Sequence, residues 1–168
     1  MEYMFLPLKR YAEFSGRSRR MEFWMYTLFL VLLWLVFAAI AMAIIGSALL
    51  SGGGALRAMM ATGGAMIIVM ILAFVIGLGL FIPTLAVGMR RLHDTDRSGW
   101  WLGGFYIADF VSAFLRGSNG GGTLGSIASL VTFLLFIVLL VFYCLDGTKG
   151  PNKYGPDPKG RVDAEVFA

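Results

Sequence analysis

The single histidine of the chain, His93, is followed directly by Asp94 within Arg90-Arg-Leu-His-Asp-Thr-Asp-Arg97, the densest stretch of polar chemistry in the sequence. A carboxylate can orient an imidazole and raise its pKa, so the pair invites an acid–base reading, with lipid headgroups as substrate. Adjacent residues seldom aim their side chains the same way, however, and no Ser, Cys or Lys nucleophile is paired with these two. A structural hydrogen bond from His93 to a loop carbonyl or to the C-terminal tail is the competing reading. One His and one Cys leave no ordinary zinc site. A magnesium site built from Asp94, Asp96 and Asp157 is the remaining metal alternative. No cofactor is expected.

Arginine is the more abundant chemistry. Arg17, Arg19 and Arg20 precede the first apolar run, and Arg90, Arg91 and Arg97 bracket His93. The planar guanidinium grips phosphate with two parallel hydrogen bonds, so these six could hold an anionic lipid or phosphate. Two other uses compete. Arginines near helix ends keep those ends on one side of a membrane, and Glu22, Asp94 and Asp96 could pair with them and staple the segments together. Asp109 stands apart inside an apolar run. At 1.5 Å per residue it lies about 13 Å along a helix that starts at Trp100, close to mid-membrane. Intramembrane acids often line proton or ion paths, whereas a short helix that admits water would tolerate the same residue.

The elements that must carry these groups are apolar. Trp24–Ile45 and Ala65–Val87 run without a charge, and Leu124–Leu145 does the same. Each is about 22 residues, enough to span a hydrocarbon core of roughly 30 Å as a helix. The run Trp100–Leu115 is shorter, about 24 Å as a helix, and could span with little tilt or dip in as a re-entrant segment. Backbone in lipid must satisfy its own hydrogen bonds, which makes these runs helices. The spacing also predicts an amphipathic helix over 3–14 along the inner surface, a kink at Pro83 and an N-cap at Ser98. Trp24, Trp100, Trp101 and Tyr143 fall at one membrane boundary. Small residues at intervals of four, Gly121, Gly125 and Ser129, with Ala73 and Gly77, allow helices to approach closely.

Composition agrees. A hydrophobic fraction of 58% with 14% charged residues lies far from the roughly 25% charge of soluble domains. Of 14 Lys and Arg, only Arg57 and Arg116 fall in the loops after the first and third runs. All the others lie before Trp24, between runs two and three, or after Leu145. Four spans gather those three segments on one face, which the positive-inside rule makes cytoplasmic; three spans would carry the basic tail across. Basic residues that flank apolar runs point to a membrane surface, not to nucleic acid. The first run is too long for a cleavable signal core and reads as a signal anchor. Cys144, with apolar neighbours, reads as packing.

Three polar blocks then converge on the cytoplasmic face. They are Phe14-Ser-Gly-Arg-Ser-Arg-Arg-Met-Glu-Phe-Trp24, Arg90-Arg-Leu-His-Asp-Thr-Asp-Arg-Ser-Gly-Trp-Trp101 and Asp146-Gly-Thr-Lys-Gly-Pro-Asn-Lys-Tyr-Gly-Pro-Asp-Pro158. In order and spacing they resemble the DUF805 family, small bacterial inner-membrane proteins of unknown function. The resemblance covers essentially the whole chain and implies a location and a fold type, but no activity. Many relatives are shorter, so it leaves open whether the fourth run is a family trait. The third block is rich in Gly, Pro and Asn and is expected to fold as turns, with Tyr154 against the Trp pair.

The sequence therefore describes an all-α, polytopic membrane protein. It is a four-helix transmembrane bundle over 1–161 with a short cytoplasmic cap, both termini in the cytoplasm and a loose tail over 162–168. No catalytic set is evident. The leading functional reading is a non-enzymatic inner-membrane protein whose Arg-rich cap, with His93 and Asp94, binds anionic lipid or a partner protein. A transporter or channel subunit that acts as a homo-oligomer through Asp109 is the alternative, and a lipid-headgroup enzyme a further one.

Overall fold

A computed structural model describes residues 2–50, 55–118 and 122–160. Among them are five α-helices and no strand: α1 (Glu2–Lys9), α2 (Arg20–Leu50), α3 (Ala55–Asp94), α4 (Trp100–Ser118) and α5 (Thr123–Cys144). The Ser51–Gly54 loop, Gly121, Arg161, the side chain of Arg57 and the tail 162–168 lie outside the described residues.

The helices form two antiparallel hairpins. In the first, Glu22 of α2 faces Arg90 of α3, Tyr26 faces Thr84, and Trp34 lies over Gly77. In the second, Trp101 of α4 meets Phe142 of α5, Phe105 meets Phe136, and Ser112 shares a 3.1 Å hydrogen bond with Ser129. Gly125 lets α5 come close there, because a Cβ would stand 3.4 Å from the Arg116 backbone. The hairpins meet one another chiefly at the end that carries the polar blocks. Phe23 packs on Tyr143 with ring centroids 4.3 Å apart, and Leu92, Leu102, Leu139 and Tyr143 form a small apolar core. The arrangement is thus two hairpins joined chiefly at one end.

Among the described residues, three helices are long and apolar enough to cross a membrane: Arg20–Ala48, Thr62–Asp94 and Thr123–Cys144. The fourth expected span, α4, has 19 residues, carries Asp109 and Arg116, and is not among these three. Large apolar side chains along the helices point outward, as Val36 (56%), Phe74 (67%) and Leu130 (58%) illustrate, while Arg90 and Arg91 are wholly buried. This inverts a soluble protein and suits a chain whose solvent is hydrocarbon.

Several boundaries differ from the expectation. Helix α3 does not stop near Val87 but continues through the charged block to Asp94, because each of those charges finds a partner inside. Tyr143 is buried between the hairpins, while Trp24, Trp100 and Trp101 are exposed. Cys144 is exposed rather than packed. Helix α1 ends at Lys9 and lies against α2 and α3, with Phe5 edge-on to Phe29 and Pro7 buried. After it, Arg10 donates two hydrogen bonds to Glu13 and holds that carboxyl below the usual carboxylate range.

Pro83 explains one unexpected contact. Its missing N–H strands the carbonyl of Gly79, four residues back, in the middle of a helix. The Tyr11 hydroxyl donates to that oxygen at 2.6 Å. A stranded carbonyl costs about 1–3 kcal/mol where no water can reach it. Tyr11→Phe should therefore lose about 1 kcal/mol of unfolding free energy in a dodecyl sulfate titration, and close to none in a Pro83→Ala background, where the amide is restored.

Candidate functional site

The site is the polar end, and it is assembled at helix termini. The last carbonyls of a helix have no partner within it. At the end of α5, Arg91 reaches across from α3 and donates from Nε to Tyr143 O at 3.2 Å, and from Nη2 to the carbonyls of Tyr143 and Leu145. Arg20 donates to Cys144 O at 3.1 Å. Two cations therefore cap a helix C-terminus, the charge the dipole favours. At the end of α3, the Asp94 carbonyl accepts the Thr148 N–H at 2.9 Å, and the His93 carbonyl accepts Asn152 Nδ2 at 2.9 Å.

Asp94 sits at the centre, 2% exposed. Its Oδ1 accepts Arg17 Nε at 3.0 Å and its Oδ2 accepts Arg91 Nη1 at 2.6 Å. Arg17 is buried as well, and spends its other donors on the tail: Thr148 O at 2.5 Å and Gly150 O at 2.7 Å. A Cβ on Gly147 would fall on the Asp94 carboxylate, so only glycine lets the tail pass there. A second buried pair, Arg90 Nη1 to Glu22 Oε1 at 3.2 Å, joins α3 to the start of α2. Three segments far apart in sequence are thus tied through Asp94: the residues before α2, the end of α3 and the tail.

The tail itself is a folded turn. Asn152 and Gly155 exchange two backbone hydrogen bonds of 3.0 Å, and Asn152 Oδ1 accepts the Tyr154 N–H. Positive φ at Gly150 (72°) and Gly155 (135°) needs glycine. Tyr154 stacks on His93, with ring centroids 3.8 Å apart and planes 6° from parallel, not on the Trp pair. His93 Nδ1 donates to Gly16 O at 3.2 Å. His93 and Asp94 therefore turn to different partners and make no acid–base pair.

The remaining candidates lie on the rim. Arg19 donates to Pro158 O through Nε at 2.7 Å. Arg20 pairs with Asp146 at 2.8 Å and is exposed. Arg97 lies over the Phe142 ring, 4.0 Å from its centroid. Ser98 Oγ accepts the Trp100 N–H at 3.3 Å, the expected cap of α4. Asp109 is far from this end, exposed on α4 with no ion pair to Arg116. Among the described residues, no three His, Cys, Asp or Glu side chains gather as a metal site. The structure brings Arg17, Arg90, Arg91, His93 and Asp94 together in the cap, sets Arg19, Arg20 and Arg97 around it, and leaves Asp109 outside. Sequence reasoning missed Gly147, Thr148 and Asn152 as its lock; a glycine just past a helix end and an Asn-x-x-Gly turn were the available signals.

Removing one partner from a buried ion cluster leaves an uncompensated charge, which costs about 3–5 kcal/mol. Asp94→Asn should lose that much in dodecyl sulfate unfolding. Asp96→Asn breaks only the exposed 3.6 Å pair with Lys153 and keeps a residue suited to the positive φ of 57°, so it should lose less than about 1 kcal/mol. Equal losses would contradict the central role of Asp94.

Comparison with known proteins places the chain among inner membrane proteins. Over 95% of its length the chain is 36% identical to the inner membrane protein YhaI of Escherichia coli K12, covering 97% of that protein. It is 31% identical to the inner membrane protein YhaH of the same organism, again over 95% of the chain and covering 98% of the relative. A shorter match, 34% over 76 residues, covers 45% of the chain and 52% of the uncharacterized E. coli protein YiiR. The alignments with the first two run nearly end to end, so this chain's length is shared by them. No solved structure matches. The family described as "Protein of unknown function (DUF805)" matches residues 11–156, which take in the end-of-helix cap from Arg17 to Gly155, and the chain belongs to that family of integral membrane proteins.

Proposed function

We propose that this is a non-enzymatic four-span protein of the bacterial inner membrane. Both termini lie in the cytoplasm, and its locked cap presents a cationic rim to anionic lipid headgroups. One observation carries the reading. The arginines that point inward are neutralised there, while Lys9, Lys149 and Lys153 stand exposed at the same end as the exposed rings of Trp24, Trp100 and Trp101. Exposed cations beside a tryptophan belt are what a protein places at a headgroup layer. The divergence of His93 and Asp94 supports a non-enzymatic role, since neither group is positioned against the other or against a nucleophile.

Helix α4 is the fourth span in this reading. It lies antiparallel along α5 over its whole length, and 19 residues reach about 28 Å. Asp109 favours a second reading, an oligomeric transporter subunit, because an exposed acid near mid-membrane needs a partner from another chain. A strictly monomeric protein in native nanodiscs removes that reading.

Each juxtamembrane cation contributes about 1 kcal/mol of attraction to an anionic surface. The triple variant Lys9→Gln, Lys149→Gln, Lys153→Gln should therefore lose most of its preference for phosphatidylglycerol over phosphatidylcholine. The readout is energy transfer from the tryptophans to acceptor-labelled lipid in mixed vesicles. Wild-type protein with equal transfer to both lipids contradicts the lipid reading and directs attention to a protein partner. A reporter fused after Ala168 should be active only in its cytoplasmic form; periplasmic activity overturns the four-span topology.

A further inference from the structure

Where the two hairpins part, α3 and α4 leave a crevice of about 550 Å³. Along α3 its wall is a single stripe at intervals of four, Phe81, Leu85, Met89 and His93; Leu102 and Tyr106 of α4 form part of the opposite wall. The stripe is apolar at Phe81 and polar at His93, where Ser98 and the stacked Tyr154 close the cap end. Twelve residues of helix separate Phe81 from His93, which is about 18 Å. One leaflet of hydrocarbon is about 15 Å deep, half of the full core.

We infer that this crevice is a binding site for one acyl chain of an inner-leaflet phospholipid, with the headgroup beside Ser98, His93 and Tyr154. Three features select that occupant. Polarity changes in the same order along the crevice as along a lipid, and the length matches one leaflet. The walls also carry a flexible Met89 and a Gly103 that opens space, since a Cβ there would meet only the Trp100 ring at 3.6 Å. Lys153, whose Nζ lies 5.0 Å from the Tyr154 ring centroid, sets a cation at the level of a phosphate. The site takes the chain by shape and so does not depend on the headgroup charge preference proposed above. It needs only that these helices lie in a bilayer, and its assignment to the inner leaflet rests on the cytoplasmic cap of the reading above.

The test is native mass spectrometry of the intact protein released from detergent, with phosphatidylglycerol or phosphatidylcholine of identical chains added. Wild-type protein should keep one lipid, of either headgroup, at collision energies that strip the rest. Gly103→Trp fills the crevice and should lower the one-lipid fraction at least about tenfold. Leu85→Trp should do the same from the other wall. Val131→Trp, on an exposed face of α5, should leave retention unchanged. Helicity and thermal melting identify any variant that misfolds, and either crevice variant that folds suffices. Equal retention by wild type and a folded crevice variant means annular lipid only and overturns the inference. Retention of both lipids alike, lost in Gly103→Trp, supports the crevice even where the anionic preference of the rim fails.

Discussion

The carboxylate of Asp94, held between Arg17 and Arg91 where water does not reach, is the constraint on which the rest of this molecule depends. A buried charge demands a partner, and a buried guanidinium demands acceptors for its five N–H groups. Here the demands are met mutually. Arg91 is anchored by Asp94 and in turn closes the C-terminus of α5. Arg17 is anchored by the same carboxylate and holds the carbonyls of the tail. Loss of Asp94 strips both buried guanidiniums of their shared carboxylate, and loss of either arginine leaves Asp94 with a single partner, so the members of the lock depend on one another. It explains why an otherwise oily chain carries its polar chemistry in three separate blocks.

Away from that end, very little besides the bilayer holds the helices in place. Each hairpin is internally packed through small residues and aromatic edges, but contacts between hairpins are few, and Phe23 on Tyr143 and the small apolar core supply them near the cap. The bilayer fills what packing leaves open, and the crevice beside α3 is one consequence. The same solvent explains the strictness of backbone satisfaction. In water, the carbonyl freed by Pro83 could be hydrated; in hydrocarbon it draws Tyr11 to it, and with Tyr11 the N-terminal helix.

Much of this was legible in the residues. Helical class, membrane residence and the positions of three long runs follow from hydropathy, and the cap at Ser98 follows from its hydroxyl two residues before Trp100. Ion pairing between the first two blocks could be named as a competitor to phosphate binding, but the pairs could not be assigned. Arg17 and Asp94 are 77 residues apart, and Arg17 and Gly150 are 133 apart; no local periodicity encodes such partners. The extension of α3 to Asp94 was hidden for the same reason, since a charged run looks like loop until its partners are known. The stack of Tyr154 on His93 likewise depends on a turn whose docking only the assembled helix ends define. Asp109 remains the residue least explained by the fold of a single chain.

The most direct test of the account is amide hydrogen exchange of the intact protein in nanodiscs, followed over residues 147–155. The Thr148 amide donates to Asp94 O, and the amides of Asn152 and Gly155 each donate to the other residue's carbonyl. A tail locked beneath the helix ends should show these amides exchanging far more slowly than an unstructured peptide of the same sequence. Exchange at the unstructured rate would mean that the tail hangs free, and that the Asp94 cluster does not organise the molecule.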